Sequence, residues 1–217
     1  YINQVWPGDS KYPNYFDEKT AGYITQITKD FIAENKVGGI WCDMNEPASF
    51  NGPLPDQVAF MGEDGVHYHD EVHNLYGEYM TRAVAKAFEE ENKRPAVITR
   101  AAFATTSAFS TTWNGDNQSL WAHLEGSLAQ VMTMNLCNFA VNGVDIGGFG
   151  NETTKELLVR WVEANLFSLF LRNHAAMNTR LQEPYAFDEE TLRIYRKMLK
   201  LRYEFIPYLY DALEKAH

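Results

Sequence analysis

Apolar residues recur along the chain with two alternating periods. Ile24, Ile27, Phe31 and Ile32 have helical spacing, and Val37-Gly38-Gly39 breaks that helix before the short apolar run Ile40-Trp41-Cys42. The clearest helical stripe joins Val72, Leu75, Tyr76, Tyr79, Met80, Ala83, Val84, Ala87 and Phe88, and Glu89-Glu90-Glu91-Asn92 ends it. Arg94-Pro95 then leads into a short strand over 96–99. Leu120, Trp121, Leu124, Leu128, Val131 and Met132 mark another helical face, after which 139–146 reads as a strand stopped by Gly147-Gly148. Thr153 or Thr154 is suited to cap a helix carrying Leu157, Leu158, Trp161, Val162 and Asn165. Residues 171–175 read as one more strand, and a long last helix is predicted to begin near Asp188 and to be interrupted at Pro207.

Strand–helix alternation with short apolar strands implies a parallel sheet covered by helices. The count is four or five strands, depending on whether 111–113 forms one. A doubly wound sheet fits that count. However, the strand ends carry acids, aromatics and an arginine, and no GxGxxG phosphate loop follows any strand. That pattern suits an α/β (β/α)8 TIM barrel, whose active site gathers residues from many strand C-termini. Eight strands usually need about 250 residues. The 217 residues are therefore expected to hold about strands 4 to 8, as part of a (β/α)8 catalytic domain spanning 1–217.

Composition narrows the class. The chain is 45% hydrophobic, ample for a core, and its net charge of −10 makes it a poor candidate for nucleic acid or for an anionic membrane. Cys42 and Cys137 lie in apolar surroundings without a CxxC pairing, which predicts two buried thiols. No apolar run approaches the roughly 18 to 20 residues that span a bilayer. With no signal peptide visible after Tyr1, a cytoplasmic location is the expectation.

Candidate chemistry gathers at strand ends. In "GGIWCDMNEP", residues 38–47, alternation puts Trp41 and Asp43 on one side of the strand and Cys42 on the other. Asp43 then faces the barrel mouth beside a tryptophan able to stack on a sugar, or else it caps a turn with Glu46 merely solvated. "TTWNGDNQSLW", residues 111–121, repeats the theme with Trp113 and Asp116, although Asp116 or Asn117 is also suited to cap the following helix. Paired carboxylates flanked by aromatics are what glycoside hydrolysis needs: one protonates the leaving oxygen, and the other attacks the anomeric carbon or activates water. Arg100 ends the strand "AVITR", where an unpaired buried charge is expensive, and Asp145 in "VNGVDIGGF" is its expected partner. His174 in "LRNHAAMNT" is either a packed histidine or a ligand donor at the end of the last strand. "HYHDEVH" clusters His67, His69, Asp70, Glu71 and His73, but it follows a polar Gly-bearing loop and lacks HExxH order, so a metal site is not expected there.

Together these segments resemble glycoside hydrolase family 31, the α-glucosidase group, over essentially the whole chain and in family order. "GIWCDMNEP" is similar to the family's nucleophile signature, "VHNLYGEYM" to its following helix and "TRAAFATT" to its arginine strand. "WNGDNQSLW", about 70 positions after the first motif, resembles the acid/base motif, "GVDIGGF" a later barrel strand and "FLRNHAAMNT" the histidine strand. The resemblance implies that Asp43 is the nucleophile forming a covalent β-glucosyl-enzyme and that Asp116 is the general acid, then base. Arg100 and His174 match residues that hydrogen-bond glucosyl hydroxyls in the −1 subsite, while Trp41, Met44, Trp113 and Phe149 match its apolar lining. Glu46 and Asp145 are expected to support the site.

It further implies a retaining exo-acting α-glucosidase acting on maltose- or isomaltose-type oligosaccharides, with α-xylosidase, α-glucosyltransferase or a non-catalytic barrel fragment as alternatives. No metal or organic cofactor is required. Retention needs the two carboxyls about 5 to 5.5 Å apart. Asp116 must be protonated when substrate binds, and Asp43 must be ionised, helped by Arg100 if it lies within a few Å. One departure stands out: Phe103-Ala104-Thr105-Thr106-Ser107-Ala108-Phe109 lacks the Gln-Arg pair that relatives often carry there. The family's early barrel strands and β-domains have no counterpart in these residues, so the remainder of a catalytic domain is the expected partner, with association of further copies left open.

Overall fold

A computed structural model describes residues 1–216. Its backbone divides into two compact units, the first Tyr1–Thr112 and the second from Trp113 onward.

The first unit carries the expected strand–helix alternation. Helix α1, Glu18–Asn35, starts where Asp17 Oδ2 accepts the Thr20 N–H at 2.9 Å, and it stops at Lys36, whose φ of 53° is left-handed. Ahead of α1, β1, Ile2–Val5, and β2, Gly8–Lys11, form an antiparallel hairpin, and after α1 comes strand β3, Ile40–Cys42. Gly39 is needed at the entry to β3, because a Cβ there would lie 2.6 Å from the Ala96 carbonyl oxygen. A second hairpin, β4 Ala59–Gly62 and β5 Gly65–Tyr68, runs straight into helix α2, His69–Glu90. β3 pairs in parallel with β6, Val97–Thr99, and β6 with β7, Thr111–Thr112, in the register Ile40↔Val97 and Ile98↔Thr111. Ile32 of α1, Cys42 of β3, Val84 and Phe88 of α2 and Val97 of β6 form one core. Burial there pushes the Cys42 thiol pKa up to about 12, so it packs as a small hydrophobe.

The second unit holds α3, Trp121–Leu136, β8, Asp145–Ile146, α4, Lys155–Ala164, β9, Arg172–Asn173, and α5, Glu189–Ala216. β8 and β9 pair in parallel, Asp145↔Arg172 and Ile146↔Asn173. Thr154 is the α4 cap, accepting the Leu157 N–H at 3.2 Å. Leu124, Val144, Ile146, Leu158, Trp161 and Tyr195 make the core of this unit. Trp161 is wholly buried. Its replacement by alanine is expected to cost about 3–5 kcal/mol, read as a shift of the denaturant unfolding midpoint.

Several expectations need correction. The strand foreseen over 139–146 shrinks to β8, because the residues before it fold back onto the end of α3. The Phe139 N–H donates to the Met134 carbonyl at 3.0 Å, and the buried Asn142 amide donates to Phe139 O at 2.7 Å and Asn135 Oδ1 at 2.9 Å. Pro207 does not interrupt α5. It removes one backbone bond, to the carbonyl of Tyr203, a solvent-exposed residue. Cys137 is exposed rather than buried, since it caps the C-terminus of α3. Among the described residues no helix is long and apolar enough to cross a membrane.

Candidate active site

In the first unit the site grows from the ends of β3 and β6. The Arg100 N–H donates to the Cys42 carbonyl at 3.0 Å, which extends the parallel ladder by one rung and sets Arg100 beside Asp43. The Asp43 side chain is 50% exposed, and its Oδ1 lies 3.4 Å from Arg100 Nε. The same Oδ1 accepts the Met44 N–H at 2.9 Å. Met44, at φ 60°, then turns the chain so that Asn45 points inward. Buried Asn45 donates to Thr99 Oγ1 at 2.9 Å and accepts the Ala101 N–H at 3.1 Å, tying the two strand ends together. Gly77 of α2 permits this approach, since a Cβ there would lie 2.9 Å from the Asn45 carbonyl oxygen.

Glu46 is not merely solvated. Its carboxylate takes Arg100 Nε at 2.5 Å and Nη2 at 3.0 Å, a two-point clamp, while Met44 Sδ accepts Nη2 at 2.9 Å. Arg100 is thereby held with its Nε facing both carboxylates. Trp41 is half-buried on the opposite side of β3 from Cys42, as alternation requires. Glu46→Gln is expected to lower kcat/KM by about tenfold with little change in melting temperature, because a charge-assisted clamp on a partly exposed arginine is weakened while the core is untouched. Steady-state kinetics beside a thermal melt would check it.

The loop over 103–109 is anchored from α2. Fully buried Glu78 accepts Thr105 Oγ1 at 2.5 Å and Thr106 Oγ1 at 3.3 Å, and it pairs with Arg82. The two threonines give this loop its fastening.

In the second unit, Trp113 is buried and the Asn114 N–H donates to the Gly143 carbonyl at 2.7 Å. Asp116 is exposed. The Asn117 amide donates to the Asp145 carbonyl at 3.0 Å, and the Asn117 carbonyl receives the N–H groups of Phe149 and Gly150 at 2.7 and 3.0 Å. Leu120 is the residue at the start of α3, so neither Asp116 nor Asn117 is its cap. The Phe149 and His174 rings stack, their centroids 5.1 Å apart at 24°. His174 follows β9, and its carbonyl accepts the Gln182 amide at 3.0 Å.

Asp145 was expected to pair with Arg100; Arg172 takes that place. Its guanidinium donates to Asp145 Oδ1 through Nε at 3.2 Å and Nη2 at 2.7 Å, across the β8–β9 register. Burial raises the Asp145 pKa, and Arg172 opposes the shift. Arg172, Asn45 and Glu78 escaped the sequence reading. Arg172 had a signal: the rule that a charge inside a short strand needs a partner applies to it as it does to Arg100.

The histidine cluster has other employment. His67 pairs with Asp64 at 2.7 Å in the second hairpin, while the His69 and His73 rings meet on α2 with centroids 4.6 Å apart, tilted by 36°. Among the described residues no group of three His, Cys, Asp or Glu is placed to hold a metal ion.

Comparison with known proteins joins these observations to a family. The model of the glycosyl hydrolases family 31 TIM-barrel domain matches residues 1–212. The chain is 38% identical to alpha-glucosidase 2 of Bacillus thermoamyloliquefaciens, over all of this chain and 28% of that protein. Its fold matches the crystal structure of an ER glucosidase II heterodimeric complex with a TM-score of 0.89 at 32% identity, covering 100% of this chain and 24% of the other. A Flavobacterium johnsoniae GH31 dextranase complexed with glucose matches with a TM-score of 0.89 at 27% identity, covering 100% and 28%. The chain thus spans about a quarter of the length of the curated relatives it matches, 28% of one and 24% of another.

Proposed function

This chain belongs to glycosyl hydrolase family 31 and has its TIM-barrel fold, and from that premise we propose that the protein is a retaining, exo-acting α-glucosidase. The observation that carries the reading is Asp43, an open carboxylate at the C-terminal end of a parallel strand with the Arg100 guanidinium 3.4 Å away. In a (β/α)8 barrel that end of the strands is where catalytic residues stand. On this reading β3, β6, β7, β8 and β9 supply barrel strands 4 to 8.

The chemistry runs in two displacements. Asp43 attacks the anomeric carbon of the terminal glucosyl unit while Asp116 gives its proton to the departing glycosidic oxygen, leaving a β-glucosyl ester on Asp43. Asp116, now a carboxylate, takes a proton from water as that water attacks the ester carbon, and glucose leaves in the α configuration. Arg100 and His174 hold glucosyl hydroxyls. Trp41, Met44, Trp113 and Phe149 give the sugar ring its apolar walls, and Phe149 fixes the His174 ring by stacking on it. Glu46 keeps Arg100 in place through the clamp described above. The substrate is a maltose- or isomaltose-type oligosaccharide, and no metal or organic cofactor takes part.

The relatives named as alpha-glucosidases support glucose over other sugars. The likeness to a dextranase makes α-1,6-linked glucans a second substrate class to be measured beside α-1,4 ones. The test is hydrolysis by the complete natural protein of p-nitrophenyl α-glucoside against the α-xyloside, and of maltose and isomaltose with the products followed in time. Glucose released singly from chain ends is the expected result. Preferred cleavage of the xyloside, internal cleavage of dextran or no turnover would overturn it.

A further inference from the structure

The second unit contains a buried ion pair that the proposed mechanism does not use. Asp145 is 0% exposed, and Arg172 Nε and Nη2 both bond to its Oδ1. Its other oxygen, Oδ2, is buried and accepts no hydrogen bond among the described residues. A carboxylate oxygen left so needs a reason, since a well-packed apolar side chain would stabilise the spot more cheaply.

Oδ2 lies beneath the loop that carries Asp116. A Cβ on Gly115 would come 2.6 Å from it, so only glycine lets the backbone rest there. The rest of that loop is stitched to the same segment. The Asn117 amide donates to the Asp145 carbonyl, the Asn114 N–H donates to Gly143, and Arg172 lies 5.5 Å from the Trp113 ring centroid in a cation–π contact. Trp113, Asn114, Gly115 and Asn117 are thus each fastened to, or pressed against, the Asp145–Arg172 pair or its neighbours.

We propose that Asp145, clamped by Arg172, is a positioning residue for Asp116: it holds from below the loop on which Asp116 stands. This rests on the acid/base role proposed for Asp116. Asp145 senses the Asp116 charge. After burial, which raises the Asp145 pKa, and Arg172, which lowers it, the Asp116 charge is among the remaining causes and raises it.

Asp145→Asn keeps the shape but replaces that bare oxygen by an oxygen or an N–H of an amide. Either way the charge that Arg172 clamps is lost, and with it the loop's support. The experiment compares Asp145→Asn, Gly115→Ala and Asp116→Ala in the complete natural protein, with kcat on maltose, a poor leaving group, and on p-nitrophenyl α-glucoside, a good one. Asp145→Asn is expected to lose about 10²-fold on maltose and under about tenfold on the aryl glucoside, since only the former needs the acid for departure. Gly115→Ala, which lifts the loop without touching a charge, is expected to show the same split. In the Asp116→Ala background, Asp145→Asn is expected to add less than about threefold on maltose.

Equal losses on the two substrates, no loss on either, or an undiminished 10²-fold loss in the Asp116→Ala background would overturn the proposal. Should Asp145→Asn fail to fold, the Gly115→Ala split decides it in the same way. Absence of a split in Asp116→Ala alone would instead sink the acid/base reading on which it stands.

Discussion

Asp43→Ala is expected to abolish turnover of every α-glucoside, by on the order of 10⁴-fold or more, whatever the leaving group. A covalent route has no substitute for its nucleophile, and what remains after such a loss is binding and electrostatics alone. The loss should be the same on maltose and on p-nitrophenyl α-glucoside, because the attacking group is needed equally by both. Melting should hardly change, since the Asp43 side chain is half-exposed and its bonds are to Arg100 and to the adjacent Met44 N–H. Azide gives a stereochemical reading. In the hole left by the carboxylate it would attack the same face that Asp43 attacks, so the rescued product is the β-glucosyl azide. Unchanged turnover in Asp43→Ala, or rescue to the α-azide, would contradict the nucleophile role.

The second large effect belongs to Asp116→Ala, and it should depend on the substrate. Proton transfer by a placed side chain is worth about 10²–10⁴-fold. On maltose the whole of that is expected to vanish, because a sugar alkoxide leaves poorly without a proton. On p-nitrophenyl α-glucoside the glycosyl-transfer step should survive and the second step slow, so a burst of nitrophenol would precede a slow steady state. Azide would then capture the waiting ester from the opposite face and give the α-glucosyl azide. Opposite products from the two variants would separate the two carboxylates without any appeal to distance. Equal losses of Asp116→Ala on both substrates would count against the acid role.

How much was legible in advance depended on which physical signal each feature carried. Helices α2 and α4 and strands β3 and β6 follow from periodicity, since one face of each is buried against a neighbour and the spacing of apolar residues records it. Helix α1 forms where expected but turns Thr25, Thr28 and Ile32 inward and leaves Ile27 and Phe31 exposed. The two antiparallel hairpins left little trace. β2, Gly-Asp-Ser-Lys, is polar throughout, and β4–β5 wrap a Glu-Asp turn that reads as loop. Residues 139–146 misled in the other direction. Phe139 and Val144 are buried because they close the end of α3 and enter the core, so the run is apolar without a ladder.

In the candidate site, residue types at strand ends pointed to Asp43 and Asp116 and to the need for charge compensation at Arg100. Which acid compensates is a tertiary fact. Glu46, in the loop after β3, reaches Arg100 because β3 and β6 pair in parallel, and Asp145 meets Arg172 only because β8 and β9 pair in that register. A one-residue slip of that register would take Arg172 out of line with Asp145 and move its side chain to the other face.

The direct measurement is to trap the intermediate. Incubation of the complete natural protein with 5-fluoro-α-glucosyl fluoride, whose ring fluorine slows hydrolysis of the ester more than its formation, followed by proteolysis and mass spectrometry, locates the bond. A single glucosyl label on the carboxylate of Asp43, in the peptide containing Trp41-Cys42-Asp43-Met44, is the result a retaining enzyme with this nucleophile must give. A label on Glu46 or Asp116, or no label from an enzyme whose first product is β-glucose, would contradict it.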